Sequence, residues 1–329
     1  MNVLDTISTE KYNQAITDTW SVCSLFAGCG GLDLGFCGGF QYKGIEFEKL
    51  GYSIRAAYEI DPLAVDTYKR NIGDHIFEQD LTQLNPSDVP KHDVLIGGFP
   101  CQDFSSCGPK KGLSSPRGQL YKVFFGVMKE HKPKVVVAEN VPNITRMQGG
   151  EVIRTILADL ESVGYRFQTW VLFAPDYGVP QNRTRVFLVG VREDLPGAPI
   201  QPAPTHLLGY RTIDWAISDL EDIDDESIAN QSQYFKASRA KRGNGQGDEV
   251  SRAGEPSYTV RANAKSRVQF HYKLPRRLTI RECARLQTFP DDFIFPHSAT
   301  TNIMQIGNAV PPMLSHHVAR SVAEYLKTL

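Results

Sequence analysis

Apolar residues recur along the first two thirds of the chain in two kinds of block. Short continuous runs, rich in β-branched residues, lie at 22–26, 53–58, 94–96, 134–138 and 186–191, with further candidates at 77–81 and 169–173. Between them, apolar residues are spaced by three and four at 62–71, 121–130 and 151–163. The continuous runs read as strands buried on both faces, and the wider spacing reads as helices. Pro62 stands where a helix tolerates proline, in its first turn. Strands alternating with helices predict an α/β fold built on a doubly wound, mostly parallel sheet of seven strands.

The pattern breaks near Pro196. Pro196, Pro199, Pro202 and Pro204 interrupt regular structure, and the chain to about 275 is rich in Gly, Ser, Asn, Arg and Lys. Short strands and loops are expected there, forming a second, smaller, irregular β-rich domain. Helical spacing returns at 278–288, with Thr279 as candidate N-cap and Glu282 three residues on. A final amphipathic helix over 310–329 is expected to return to the large domain. The resulting plan is an arm over 1–20, a large domain over 21–195, a small domain over 196–277 and a return segment over 278–329.

Composition narrows the reading only in places. A chain of 329 residues with 41% hydrophobic and 22% charged residues is that of an ordinary globular protein. The net charge of −1 hides an asymmetry: 219–226 is strongly acidic, while 236–281 carries twelve Lys and Arg against Asp248, Glu249 and Glu255. That basic stretch is the candidate phosphate-binding face. The six cysteines show no metal-ligand spacing, so neither a metal site nor a disulfide framework is expected. The first twenty residues lack the apolar core of a signal peptide, and no run approaches the roughly eighteen apolar residues of a membrane span. These features predict a cytoplasmic protein with no membrane partner.

The candidate chemistry collects at strand ends. The first strand runs into Ala27-Gly28-Cys29-Gly30-Gly31, a turn that brings backbone N–H groups close to a ligand. Its spacing departs from the dinucleotide fingerprint, which argues against a nicotinamide site. Glu59 ends the second strand, where α/β nucleotide folds hold a ribose hydroxyl. Asp80 is a second acid, after the third strand. Cys101 follows Gly97-Gly98-Phe99-Pro100, a rigid turn at the carboxyl end of a strand, and is a nucleophile candidate. Glu139 ends the next strand, and Arg183 and Arg185 precede another. No histidine occupies a similar place, which disfavours thiol-based acyl transfer. A thiol with a carboxyl and two cations suits conjugate addition to an electron-poor ring, and pyrimidines are such rings.

Six segments then carry a resemblance: Phe26 to Gly31, Gly98-Phe99-Pro100-Cys101-Gln102, Glu139-Asn140-Val141, Gln181-Asn182-Arg183-Thr184-Arg185, Arg281 to Gln287, and Gln305-Ile306-Gly307-Asn308-Ala309-Val310-Pro311. In composition and order they resemble the motif set of the DNA (cytosine-5)-methyltransferases, from about residue 21 to the C-terminus. The resemblance implies a Rossmann-like fold dependent on S-adenosyl-L-methionine, which is converted to S-adenosyl-L-homocysteine. It makes 21–195 a catalytic and cofactor-binding domain and 196–277 a target-recognition domain.

By that resemblance, Cys101 adds to cytosine C6, Glu139 contacts N3 and the exocyclic amine, and Arg183 and Arg185 lie near O2 and the thiol, Arg185 also as an ion-pair partner. Phe26, Ala27, Gly28, Gly30, Gly31 and Leu32 form the cofactor turn. Glu59 takes the ribose, Ile60 stacks on the adenine and Asp80 reads its amine, with Leu81, Pro100, Leu120, Asn308 and Ala309 completing the pocket. Gln102, Ser105 and Arg117 are DNA contacts in or beside a loop over the flipped base. Arg252, Arg261, Asn263, Lys265, Arg267 and Gln269 are candidates for reading base edges or holding phosphates.

The implied partners are double-stranded DNA and, genetically, a cognate restriction endonuclease, with the enzyme a monomer. A transfer RNA cytosine methyltransferase is the competing enzyme, but the Cys-Phe-Thr segment of that family is missing. A silent DNA-binding relative would lack Cys101 or Glu139. The connection over 38–50 is longer than the family's usual one and reads as a surface insertion rather than a lid.

Overall fold

The computed structural model describes residues 20–99, 116–223, 249–263 and 269–329. Pro100, Cys101, Gln102, Ser105, Lys265, Arg267 and the arm before Trp20 lie outside the described residues.

Strands β1 (Trp20–Leu25), β4 (Tyr52–Glu59), β5 (Ile76–Glu78), β6 (Val94–Gly97), β7 (Val135–Asn140), β8 (Tyr165–Phe173) and β9 (Thr184–Arg192) form one seven-stranded sheet. Its order is β5-β4-β1-β6-β7-β9-β8. The first five strands are parallel, whereas β9 runs antiparallel to β7 and β8 antiparallel to β9. The chain winds outward from β1 through β4 to β5, then returns to β6 and β7 on the other side of β1. The crevice beyond the carboxyl ends of β1 and β6 is therefore the switch point at which such sheets bind ligands.

Alternation along β1 divides the core into two layers. Val22 points to the layer closed by α1 (Gly31–Cys37) and α8 (Pro312–Leu326). Cys23 and Leu25 point to the layer of α3 (Pro116–His131) and α4 (Glu151–Glu161). Val152, Ile153, Ile156 and Leu160 of α4 are buried at helical spacing, each worth about 1.5–3 kcal/mol relative to exposure. A third core joins α5 (Ile213–Ile217), Val260, α6 (Ile280–Leu286) and the cluster Phe289, Phe293, Phe295 to Ile306 of α7 (Ala299–Asn308). Two-residue parallel strands β10 (Glu249–Val250) and β11 (Gln269–Phe270) agree with the sparse regular structure expected there. Thr279 and Glu282 form the expected capping box at the start of α6, while α2 (Pro62–Asn71) opens on Asp61, whose carboxylate accepts from Leu63 N at 3.0 Å.

The 38–50 connection, expected as a surface insertion rather than a lid, is a packed element. It forms a hairpin of β2 (Phe40–Tyr42) and β3 (Ile45–Phe47), turning through Lys43 and Gly44 with φ of 47° and 76°. Phe40 and Phe47 stack at 4.7 Å and both meet His316 of α8 edge-on. Tyr42 OH donates to the Arg285 carbonyl at 2.7 Å and Lys43 pairs with Asp219 at 2.9 Å. The hairpin thus braces α8 and the α5 segment, and none of its residues lines the cavity at the switch point.

Candidate active site

The glycine-rich turn leaves β1 with left-handed backbone at Phe26, Gly28 and Gly30. For Phe26 this is an uncommon conformation, held by hydrogen bonds from the two residues that follow it. Ala27 N donates to Tyr58 O at 3.0 Å and Gly28 N to Glu59 Oε2 at 2.8 Å, tying the turn to the end of β4. Glu59 Oε1 accepts from Ile60 N and Asp61 N, both at 2.9 Å. Three main-chain donors thereby fix this carboxylate at the cavity wall. A Cβ on Gly31 would come within 2.4 Å of Val310 O, so only glycine allows the turn to pack against the chain after α7.

The second wall comes from β6, β7 and β9. A Cβ on Gly97 would meet Leu25 O at 2.4 Å, and one on Gly98 would meet Glu139 Oε2 at 2.9 Å. The two glycines allow the end of β6 to pass between β1 and the Glu139 side chain. Asn140 Nδ2 donates to Phe99 O at 2.9 Å, fixing the main chain two residues before Cys101. Glu139 pairs with Arg185 at 2.6 Å, and both side chains are nearly buried. Burial raises the Glu139 carboxyl above the ordinary carboxylate range, against the lowering pull of Arg185 and Arg183.

One cavity of about 630 Å³ spans both walls, within the range of small-molecule sites. Of the residues expected at the cofactor, Phe26, Ala27, Gly28, Gly31, Leu32, Glu59, Asn308 and Ala309 line it, together with Glu139. Gly30, Ile60, Asp80, Leu81 and Leu120 stand outside the lining. Gly30 caps α1, and Ile60 is 61% exposed at the rim. Asp80 Oδ1 caps a short turn, accepting from Thr82 N and Oγ1. Leu81 and Leu120 pack into the α3 core layer. The lining also holds Asp61, Thr301, Met304 and Gln305, to which the motif reading gave no role. Among the described lining residues there are three carboxylates and no basic side chain. The described residues hold no cluster able to bind a metal ion and no helix long and apolar enough to cross a membrane.

Arg183 does not face this cavity. It is buried, donating through Nη1 to Val260 O at 3.1 Å and through Nη2 to Gly307 O and Ala309 O at 2.8 and 2.9 Å. Its neighbours hold the same segment. Gln181 Oε1 accepts from Val260 N, Asn182 N donates to Ser257 O, and Asn182 Nδ2 donates to Pro256 O. The Thr259 hydroxyl donates to Asn182 O. The stretch 256–260 is thus clamped onto the residues leading into β9.

Arg252, Arg261 and Asn263 are exposed around that clamp. Gln269, expected to read bases, is instead buried in β11 and donates to Tyr258 O at 2.7 Å, so its amide is spent inside the fold. Arg117 falls in the first turn of α3, where only the backbone is described.

The sequence matches C-5 cytosine-specific DNA methylase over residues 20–324. It is 38% identical to the Type II methyltransferase M.NgoFVII of Neisseria gonorrhoeae over 92% of this chain and 86% of that protein. It is 35% identical to the Type II methyltransferase M.NlaX of Neisseria lactamica, over 94% and 96%. Among solved structures, the Entamoeba histolytica methyltransferase EhMeth shares the fold with a TM-score of 0.72 at 16% identity, covering 94% of this chain and 99% of that one.

Proposed function

The chain belongs to the C-5 cytosine-specific DNA methylase family and is a DNA cytosine-5-methyltransferase; from that premise we propose how its residues divide the work. The observation that carries the reading is the single cavity with the Glu59-pinned turn on one wall and the Glu139–Arg185 pair on the other. Glu59 and Asp61, with no basic side chain among the described lining residues, suit a ligand of net positive charge, and S-adenosyl-L-methionine, with its sulfonium, is one. Bound there, S-adenosyl-L-methionine supplies an electrophilic methyl group. Glu59 takes the ribose hydroxyls, while Phe26, Ala27, Gly28, Gly31, Leu32, Asn308 and Ala309 enclose the ligand. Gly30, Ile60, Asp80, Leu81, Pro100 and Leu120 shape the surroundings of that pocket.

Cys101 is the nucleophile, its Sγ forming a bond to cytosine C6 while the ring's electrons shift to C5. Glu139, whose carboxyl is raised by burial against the lowering pull of Arg185 and Arg183, donates to N3 as charge develops on the ring. Arg185 orients Glu139 and offsets charge at O2, while Arg183 positions Arg185's strand against 256–260. After methylation, loss of the C5 proton expels Cys101 and restores the ring. The base must leave the duplex to reach the thiol, at roughly a few kcal/mol. Contacts to DNA from Gln102, to phosphates from Ser105 and Arg117, and to phosphates or base edges from Arg252, Arg261, Asn263, Lys265 and Arg267 offset that cost. The relatives are named Type II methyltransferases, which supports a role beside a cognate endonuclease. The enzyme acts as a cytoplasmic monomer in this reading.

Transfer of labelled methyl from S-adenosyl-L-methionine to unmethylated plasmid DNA, followed by bisulfite sequencing, tests it. Modification at one short sequence, abolished in Cys101→Ala, is the expected result. Transfer to RNA alone, or activity surviving in Cys101→Ala, overturns it.

A further inference from the structure

We propose that His75, Tyr68 and Asp33 form a proton relay that sets the charge beneath the cofactor turn from the protein surface. The proposal rests on the reading of the cavity as the S-adenosyl-L-methionine site. Asp33, in the first turn of α1, is fully buried. Ser24 Oγ and Tyr68 OH donate to its two carboxylate oxygens, each at 2.8 Å. Tyr68 Oη also lies 3.0 Å from Nε2 of His75, a half-buried residue just before β5. A phenol has one proton. With that proton given to Asp33, His75 must meet Tyr68 with Nε2–H, which leaves Nδ1 bare.

A proton taken up from solvent at His75 Nδ1 can then reach Asp33 without opening the fold. The Nε2 proton passes to Tyr68 Oη as the Tyr68 proton passes to Asp33 Oδ2. The result is a neutral carboxyl donating to Tyr68, a tyrosine donating to Nε2, and a neutral His75 with its proton on Nδ1. One proton has entered and one negative charge has gone from Asp33. Burial raises the Asp33 carboxyl to about 6 and holds His75 below the ordinary imidazole value. It lifts Tyr68 well above its own ordinary value, so the carrier stays neutral.

The relay lies directly under the cofactor turn. A Cβ on Gly30 would come within 2.9 Å of the Tyr68 ring, and Leu32, which lines the cavity, precedes Asp33. The Asp33 charge is felt at Cys29, a second lining residue, and at Cys23 and Cys37. Burial raises all three thiols, which stay neutral, while Glu59 acts on Cys29, Lys49 on Cys37 and Asp74 on His75. His316 and His317 of α8, the helix packed along α1, are held neutral by burial. An ionised Asp33 therefore favours a sulfonium over the uncharged thioether left after methyl transfer, and pH sets that preference.

Calorimetric titration of the full chain with S-adenosyl-L-methionine and with S-adenosyl-L-homocysteine, from about pH 5 to about pH 7.5, tests the relay. The affinity for the donor relative to the product should rise about threefold with pH, with its midpoint at about 6. Asp33→Asn should make that ratio flat. Glu139, the raised carboxyl of the other wall, is present in both proteins and does not account for the difference. By nitrogen-15 NMR, His75 should pass from Nε2–H to Nδ1–H at the same midpoint as pH falls, and Tyr68→Phe should separate the two events. A flat ratio in the unmodified chain, an unchanged slope in Asp33→Asn, or a His75 that keeps its Nε2 proton overturns the relay. Failure of both ligands to bind overturns the reading of the cavity instead.

Discussion

Glu139 and Arg185 meet at 2.6 Å across the antiparallel pair of β7 and β9, in a wall where both side chains are nearly buried. The arginine keeps the carboxyl oriented, and burial keeps it protonated further up the pH scale than an exposed glutamate. Glu139→Gln retains shape and removes the titrating proton. Single-turnover methyl transfer should fall by about a hundredfold or more. The affinity for S-adenosylhomocysteine should stay within about threefold, because the contacts proposed for that ligand lie at the other wall.

Asn140 tests positioning without touching the reacting atoms. Asn140→Ala leaves the Phe99 carbonyl unpaired, which should cost about 1–3 kcal/mol of stability in denaturant titration. It also loosens the chain two residues before Cys101, the proposed nucleophile, so the single-turnover rate should drop about tenfold or more. A stability loss with an unchanged rate would make Asn140 purely structural.

Asp33 gives a pH signature of folding. It is fully buried in α1 with Ser24 Oγ and Tyr68 OH donating to it at 2.8 Å each, and burial raises its carboxyl to about 6. The folded state therefore holds a proton there that the unfolded chain, with an ordinary aspartate, has released. Its contribution to stability is full below about pH 4 and is lost as pH rises to about 6, by up to about 3 kcal/mol. Chemical denaturation across that window should show the slope in the unmodified protein, and Asp33→Asn should flatten it.

Arg261 stands exposed directly after the clamped stretch. Arg261→Ala should weaken binding to a methylatable duplex and reduce the slope of log affinity against log salt by about 1, the mark of a lost phosphate contact. An unchanged slope with lost sequence preference would assign the residue to base reading.

The sheet was legible because strands buried on both faces leave continuous apolar runs, and the Thr279–Glu282 box because capping is local. The hairpin over 40–47 was not, since its turn uses Lys43 in a left-handed conformation that lysine seldom adopts. The strand-end residues Glu59 and Glu139 were found from their places in the fold. Gln305 lay within a recognised motif, but its side-chain contact with Thr67 joins residues far apart in sequence. Arg183 shows the same limit: its acceptors, Val260, Gly307 and Ala309, come from segments that only the tertiary structure brings together. Gln269 looked like a base reader by residue type, and its burial in β11 reflects packing that residue type does not encode.

Apart from the Thr259 hydroxyl, the grips that 180–183 takes on 256–260 close on main-chain N–H and C=O groups. Main-chain groups are the same whichever side chains they carry. The mounting of this segment is consequently indifferent to what its outward residues read, and it works as a common socket. Where the residues around the socket read the target as proposed, substitution among them leaves the hold of Arg183, two residues from Arg185, unchanged, so a change of recognised sequence need not retune the chemistry.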